Sequence, residues 1–257
     1  MKIAVTGKGG AGKSTISGAL IRTLAAAGHR VVAVDADPNP NLGISLGLPH
    51  DTVETMQPIL NALLASGHTH NDPTPEPDEL LARFGVPAGD GVVLIATGKI
   101  ERPSNACLCC GSHNTTRQFF GQLPDADRVV VADLEAGLND LMWAKPGPGD
   151  TVLVVAETSA KSVEVARRGC RLAESMGVQQ ILGIANRAAG DDDVARLAEI
   201  LGVEVVAVPD DPVVLHADHL GVSPYDTDPD SPAMRAVAAI AERVTAGLAV
   251  TPGGARP

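Results

Sequence analysis

Gly7-Lys8-Gly9-Gly10-Ala11-Gly12-Lys13-Ser14-Thr15 fits the pattern G-x-x-x-x-G-K-[ST], and its flanks decide how it folds. Ahead of it, residues 2–6 carry the apolar run Ile3-Ala4-Val5. Behind it, Ile16, Leu20, Ile21 and Leu24 recur at helical spacing through residues 14–27. The order is therefore strand, glycine-rich turn, helix. Glycines allow the backbone angles that turn successive N–H groups inward, and the helix N-terminus adds its partial positive charge, so the turn is a cradle for phosphate. Lys13 is placed to reach the β- and γ-phosphates of a nucleotide, and Ser14 to put its hydroxyl on magnesium. Gly9, Gly10, Ala11, Gly12 and Thr15 complete the cradle.

Working outward, the Gly28-His29 stop is followed by Val31-Val32-Ala33-Val34, which completes a βαβ unit. Further buried-strand runs occupy residues 92–96, 129–132, 152–156, 181–185 and 205–208, with helix-like segments between most of them. About seven strands alternating with helices predict an α/β fold, doubly wound, with a mostly parallel sheet flanked by helices. Residues 1–250 are expected to form a single domain, with a loop insertion near 66–78 that carries His68, His70 and three prolines. A flexible tail is expected at 251–257, after a last helix near 232–248.

Composition narrows the function. Hydrophobic residues make up 44% and aromatics only 2%, so the core is Ala, Val, Leu and Ile, which suits parallel strands under helices. The net charge of −11 gives no global positive field for a nucleic acid or an anionic membrane, and neither is expected as a partner. With no basic, apolar leader and no stretch of about 18–20 apolar residues, a cytoplasmic protein is expected.

Lys8, a second lysine at the start of the loop, makes the run Lys8 to Ser14 resemble the deviant Walker A motif of the MinD/ParA class of P-loop ATPases, which includes the nitrogenase iron protein. That resemblance implies an ATP hydrolase working with Mg²⁺ as a homodimer, in which Lys8 reaches the phosphates held by the partner, like an arginine finger supplied in trans. It extends along nearly the whole chain. Asp35-Ala36-Asp37-Pro38 matches the first switch, with Asp37 at the position that polarises the attacking water. Asp133, at the end of an apolar strand, matches the Walker B carboxylate, and Leu134-Glu135-Ala136-Gly137 resembles the second switch. Ser14, Asp37 and Asp133 then form the magnesium set. Asn186-Arg187 and Pro209-Asp210 match elements that meet the adenine, and no Asn-Lys-x-Asp sequence of the guanine-specific kind is present, which favours ATP over GTP.

What the engine drives must come from what is attached to it. Cys107, Cys109 and Cys110 crowd together in a spacing poor for structural disulfides, which leaves thiol chemistry, a dimer contact or metal ligation. Thiolates suit zinc, nickel, copper(I) or iron–sulfur clusters, and Cys107 and Cys109 taken twice across a two-fold axis supply the four sulfurs of a tetrahedral site. The Cys-x-Cys pair ahead of the second switch resembles the nickel-insertion accessory ATPases of carbon monoxide dehydrogenase, as do Asp133 to Leu138 and Gly221 to Asp226. This implies a metallochaperone with nickel or zinc at a dimer-bridging site and a carbon monoxide dehydrogenase-like client. Cys110 is an extra thiol, and Gly111-Ser112-His113 departs from that pattern. Two other classes compete: a ParA/MinD-like positioning or partitioning switch, which needs a basic surface or a C-terminal amphipathic anchor, and an iron–sulfur ATPase coupled to electron transfer, which needs a cysteine in the second switch that residues 133–140 lack.

Overall fold

The structure, a computed structural model, describes residues 1–68, 75–100, 108–147 and 149–246; the side chains of residues 108–113 and 143 lie outside that description. The middle of the expected insertion (residues 69–74), Cys107 and the whole of the expected 251–257 tail fall outside it. In chain order the elements are β1 (Lys2–Gly7), α1 (Lys13–Ala26), β2 (Val31–Asp35), α2 (Leu42–Ser45), α3 (His50–Thr55), α4 (Ile59–Ala65) and α5 (Pro77–Phe84). There follow β3 (Val86–Pro87), β4 (Val92–Ala96), α6 (Leu108–Gln122), β5 (Val129–Asp133), α7 (Asn139–Ala144), β6 (Thr151–Ala156) and α8 (Ala160–Ser175). The chain continues through β7 (Gln180–Ala188), α9 (Asp191–Leu201), β8 (Glu204–Pro209), α10 (Pro212–Leu220), α11 (Pro224–Thr227) and α12 (Pro232–Thr245).

All seven apolar runs are strands of one sheet, ordered β3-β4-β2-β5-β1-β6-β7-β8. Every pairing is parallel except β3 with β4. The two-residue β3 is the strand that the apolar pattern misses, since Val86-Pro87 is too short to show a period and is held by its antiparallel register to Val93 and Leu94.

One apolar layer packs the face under α1 and α12, with Ile3, Val5, Leu20, Leu24, Val237 and Ile240. The other packs the opposite face with Phe119, Phe120, Leu123, Val130, Val154 and Ala166 from α6, the central strands and α8. Burial on both faces explains why the strands read as unbroken apolar runs rather than alternating ones. β1 lies between β5 and β6, so the chain leaves it near the middle of the sheet, where parallel folds of this kind open their crevice at the strands' C-terminal ends.

That exit depends on Gly7. Its φ is +151°, and a Cβ there would lie 2.3 Å from the Val155 carbonyl oxygen of the neighbouring strand, an atom that cannot step aside. Gly7→Ala is expected to lower stability by about 3 kcal/mol, through strain and overpacking together. A urea titration checks it: the midpoint should fall with the slope unchanged.

Candidate nucleotide site

The loop between β1 and α1 is held by hydrogen bonds of its own. The Ala11 N–H donates to the Lys8 carbonyl at 3.1 Å, and the Ile16 N–H to the Gly12 carbonyl at 3.0 Å. Gly12 sits at φ +95° against the side chain of Asn186, where a Cβ would lie 2.2 Å from its amide nitrogen. That amide donates to the Ala11 carbonyl at 2.8 Å, so Asn186, at the end of β7, ties the phosphate loop to the next part of the site. Lys13 is only 8% exposed and begins α1, while Ser14 and Thr15 are half-buried in the first turn. Lys8 is half-exposed, its ammonium donating to the Gly9 carbonyl at 3.2 Å.

Three carboxylates converge beside the loop. The β2–β5 register sets Asp35 directly opposite Asp133, and both are buried. Burial pushes the Asp133 carboxyl up to about 6, with help from Asp37 and against hydrogen bonds from Ser14 and Ser17 and the charge of Lys13. Burial first, then the neighbouring Asp133, raises Asp35 well above the ordinary carboxylate range, although two backbone N–H groups oppose the shift. The buried Ser17 hydroxyl donates to Asp133 Oδ1 at 3.0 Å and fixes its orientation. Ser17 escaped the sequence pattern because it lies one position past the apolar Ile16, outside the motif itself. Asp37 is half-buried, and its Oδ1 accepts from the Asn39 N–H at 2.8 Å.

The segment after Asp133 is stitched to the loop. Leu134 N–H donates to the Val5 carbonyl and Gly137 N–H to the Gly7 carbonyl, each at 3.0 Å, and the Thr6 hydroxyl donates to the Gly137 carbonyl at 3.0 Å. The Glu135 N–H donates to the buried Asp140 carboxylate at 2.8 Å. The expected second switch thus borders the phosphate cradle.

On the other side of Asn186 a cavity of about 430 Å³ opens, lined among others by Thr15, Asn186, Arg187, Pro209, Asp210 and Asp211. All four residues expected to meet a base are on its wall. Arg187 holds a left-handed backbone, φ +57°, at a β7–β8 register shift, and its guanidinium is paired with Glu157 at 2.9 Å. The floor is set by Asp211, which the motif reading passed over for Asp210. Asp211 caps α10 through the Val213 N–H and also accepts from the Ala233 N–H at the start of α12, both at 2.9 Å. The Asp211-Pro212 pair ahead of a helix was the available signal.

Cys109 and Cys110 belong to the first turn of α6, with side chains outside the description, so the expected thiolate site is not tested by it. Among the described residues no group of three or more His, Cys, Asp or Glu is placed to hold a metal ion, and no helix is long and apolar enough to cross a membrane. His216 and His219 are exposed on α10, and Cys170 is buried in α8, as core.

With this geometry in place, comparison with known proteins is direct. Residues 2–211 match the CobQ/CobB/MinD/ParA nucleotide binding domain, and the chain belongs to that family. It is an ATP-binding P-loop ATPase of the MinD/ParA type. Among its relatives, the carbon monoxide dehydrogenase accessory protein CooC of Rhodospirillum rubrum is 34% identical over 205 residues, 76% of this chain and 77% of that protein. An uncharacterised ATP-binding protein of Methanocaldococcus jannaschii is 31% identical over 201 residues, 75% of this chain and 77% of its own. The septum site-determining protein MinD from Pyrococcus horikoshii OT3, solved with Mg-ADP, shares the fold with a TM-score of 0.73 at 20% identity, covering 96% of this chain and 97% of that one.

Asp211→Ala removes two backbone caps and should lower stability by about 2 kcal/mol, measured by denaturant titration. Burial pushes the Asp211 carboxyl up, but the N–H groups of Ala233 and Val213, the Ser231 hydroxyl and Arg235 together hold it below the ordinary aspartate value. A lowered folded value means that the stabilisation is complete above about pH 4 and disappears as pH falls through the folded value. The wild type should therefore lose its advantage over Asp211→Ala in acid and keep it at neutral pH.

Proposed function

We propose that this chain is a magnesium-dependent ATPase acting as a metallochaperone: ATP closes a homodimer around a nickel or zinc ion, and hydrolysis resets it after delivery to a carbon monoxide dehydrogenase-like client. One observation carries the proposal. The chain matches the CooC accessory protein over three quarters of both lengths and also has Cys107 and Cys109 ahead of its second switch. Hydrolysis proceeds without a covalent enzyme intermediate, by positioning and charge.

The roles follow the placement of the side chains. The backbone N–H groups of the Gly9–Ser14 loop other than Ala11's, which is taken by the Lys8 carbonyl, would surround the phosphates, and Lys13, nearly buried, would supply the fixed positive charge. Lys8, half-exposed and held by the Gly9 carbonyl, would turn to the nucleotide of the partner protomer. Asp37 orients the attacking water once its carboxylate leaves the Asn39 N–H. Arg187, Pro209 and Asp210 take the adenine in the cavity beside Asn186. The oxygen set of Ser14, Asp133 and Asp37 suits a hard divalent cation, because Asp133 is buried with the carboxylate of Asp37 close enough to raise it and the Ser14 hydroxyl beside it. Magnesium held there would offset the charge of the β- and γ-phosphates. The cysteines of two protomers supply the soft donors that nickel or zinc takes, and the client's metal centre is the destination.

Lys13→Ala is expected to abolish tight nucleotide binding, whereas Asp37→Ala should bind ATP with nearly wild-type affinity and accumulate as the ATP-bound dimer, seen by calorimetry and size-exclusion chromatography. Metal analysis of size-separated protein tests the cargo: nickel or zinc at one per dimer should vanish in Cys107→Ser/Cys109→Ser. Iron with sulfide in place of nickel or zinc would move the protein to the electron-transfer class, and no metal in any nucleotide state would leave an ATP switch with structural cysteines.

A further inference from the structure

The loop that carries Asp37 is anchored by one buried side chain that the mechanism above does not use. Asp35 ends β2 and is 1% exposed. Its two oxygens serve the two ends of the following loop. Oδ1 accepts from the Asp37 N–H at 3.2 Å, and Oδ2 accepts from the Leu42 N–H at 2.8 Å, seven residues away, where α2 begins. Its own backbone is fixed as well. The Asp35 carbonyl accepts from the Thr97 N–H at 2.9 Å, and the next residue, Ala36, donates to the Asp133 carbonyl at 3.0 Å. The loop between contains Pro38, Asn39, Pro40 and Asn41, and outside the clamp its middle is held to a neighbouring strand's exit by the Ile100 N–H on the Pro38 carbonyl at 3.0 Å. A carboxylate fixed at the C-terminal end of the interior strand β2 thus sets where the loop leaves and where it returns.

We infer that Asp35 is a positioning residue for ATP hydrolysis, acting as a two-ended clamp that holds the loop of residues 36–41 so that Asp37 faces the γ-phosphate. The inference rests on the assignment of Asp37 as the water-orienting group. A buried N–H without an acceptor is costly, so with the clamp removed the loop has to rearrange to find other partners for the Asp37 and Leu42 amides. Misplacing a reacting group by about 1 Å can lower turnover by about 100-fold while leaving substrate binding alone. The phosphate cradle belongs to β1 and α1 and keeps its own hydrogen bonds, which is why affinity and turnover separate.

The test uses the full-length protein with Mg-ATP and the variants Asp35→Ala, Asp35→Asn and Asp37→Ala. Asn keeps one acceptor and presents a donor to the other N–H, so a graded series is expected. The kcat of Asp35→Ala should fall about 10- to 100-fold, with Asp35→Asn between it and wild type, while the Kd for ATP stays within about threefold. Hydrogen exchange followed by NMR should show the Leu42 amide losing protection in Asp35→Ala while the amides of β1 and β5 keep theirs, a loss confined to the loop that general unfolding would not give. Unchanged turnover in Asp35→Ala while Asp37→Ala is impaired, parallel loss of affinity and turnover, or a Leu42 amide that stays protected would each overturn the clamp. If Asp37→Ala hydrolyses ATP normally, the Asp37 assignment is what fails; that case is recognised because Asp35→Ala then frees the Leu42 amide without slowing turnover.

Discussion

Two aspartates buried face to face at the ends of neighbouring parallel strands govern this site. The β2–β5 register leaves no freedom: once the apolar runs pair, Asp35 and Asp133 are adjacent and out of water. Burying like charges side by side is unfavourable, and the surroundings are arranged to offset it. Two backbone N–H groups serve Asp35, while Ser14, Ser17 and Lys13 serve Asp133. The loop of residues 36–41 and the N-terminal half of α1 are both tied to these two carboxylates. Their arrival at one place is what makes the site able to take a magnesium nucleotide.

Much of the fold was legible because it follows from periodicity and punctuation. Unbroken apolar runs mean strands covered on both faces, and the Gly28-His29 stop marks the end of α1, where His29 donates to the Leu24 carbonyl. The phosphate loop was equally clear, since its glycines, lysine and hydroxyl are contiguous. β3 was not, because two residues carry no period and their pairing depends on a hairpin contact with β4. Ser17 and Asp211 were missed for a related reason. Each acts on a group distant in sequence, Asp133 for one and the start of α12 for the other, and nothing local announces the partner.

The double role of Asn186 lay beyond a linear reading too. Its position near the end of β7 directs attention to the cavity there, yet its amide reaches back 175 positions to the Ala11 carbonyl. Arg187 beside it takes a left-handed backbone, where a long side chain is uncommon, at the point where β7 slips register against β8. The strain and the bulge go together: the bulge turns Arg187 out of the strand towards Glu157 and the cavity mouth.

The tether from Asn186 to the phosphate loop bears on the entropy of association. A glycine-rich loop left untied would have to be ordered by each incoming nucleotide, and that ordering would be subtracted from the affinity. Here the loop is tied by an amide that also lines the neighbouring cavity. On the proposed reading, base and triphosphate meet a single stiff body. The affinities of an isolated nucleoside and an isolated polyphosphate would still not sum to that of the intact nucleotide, because the linked ligand gives up its translational and rotational freedom only once.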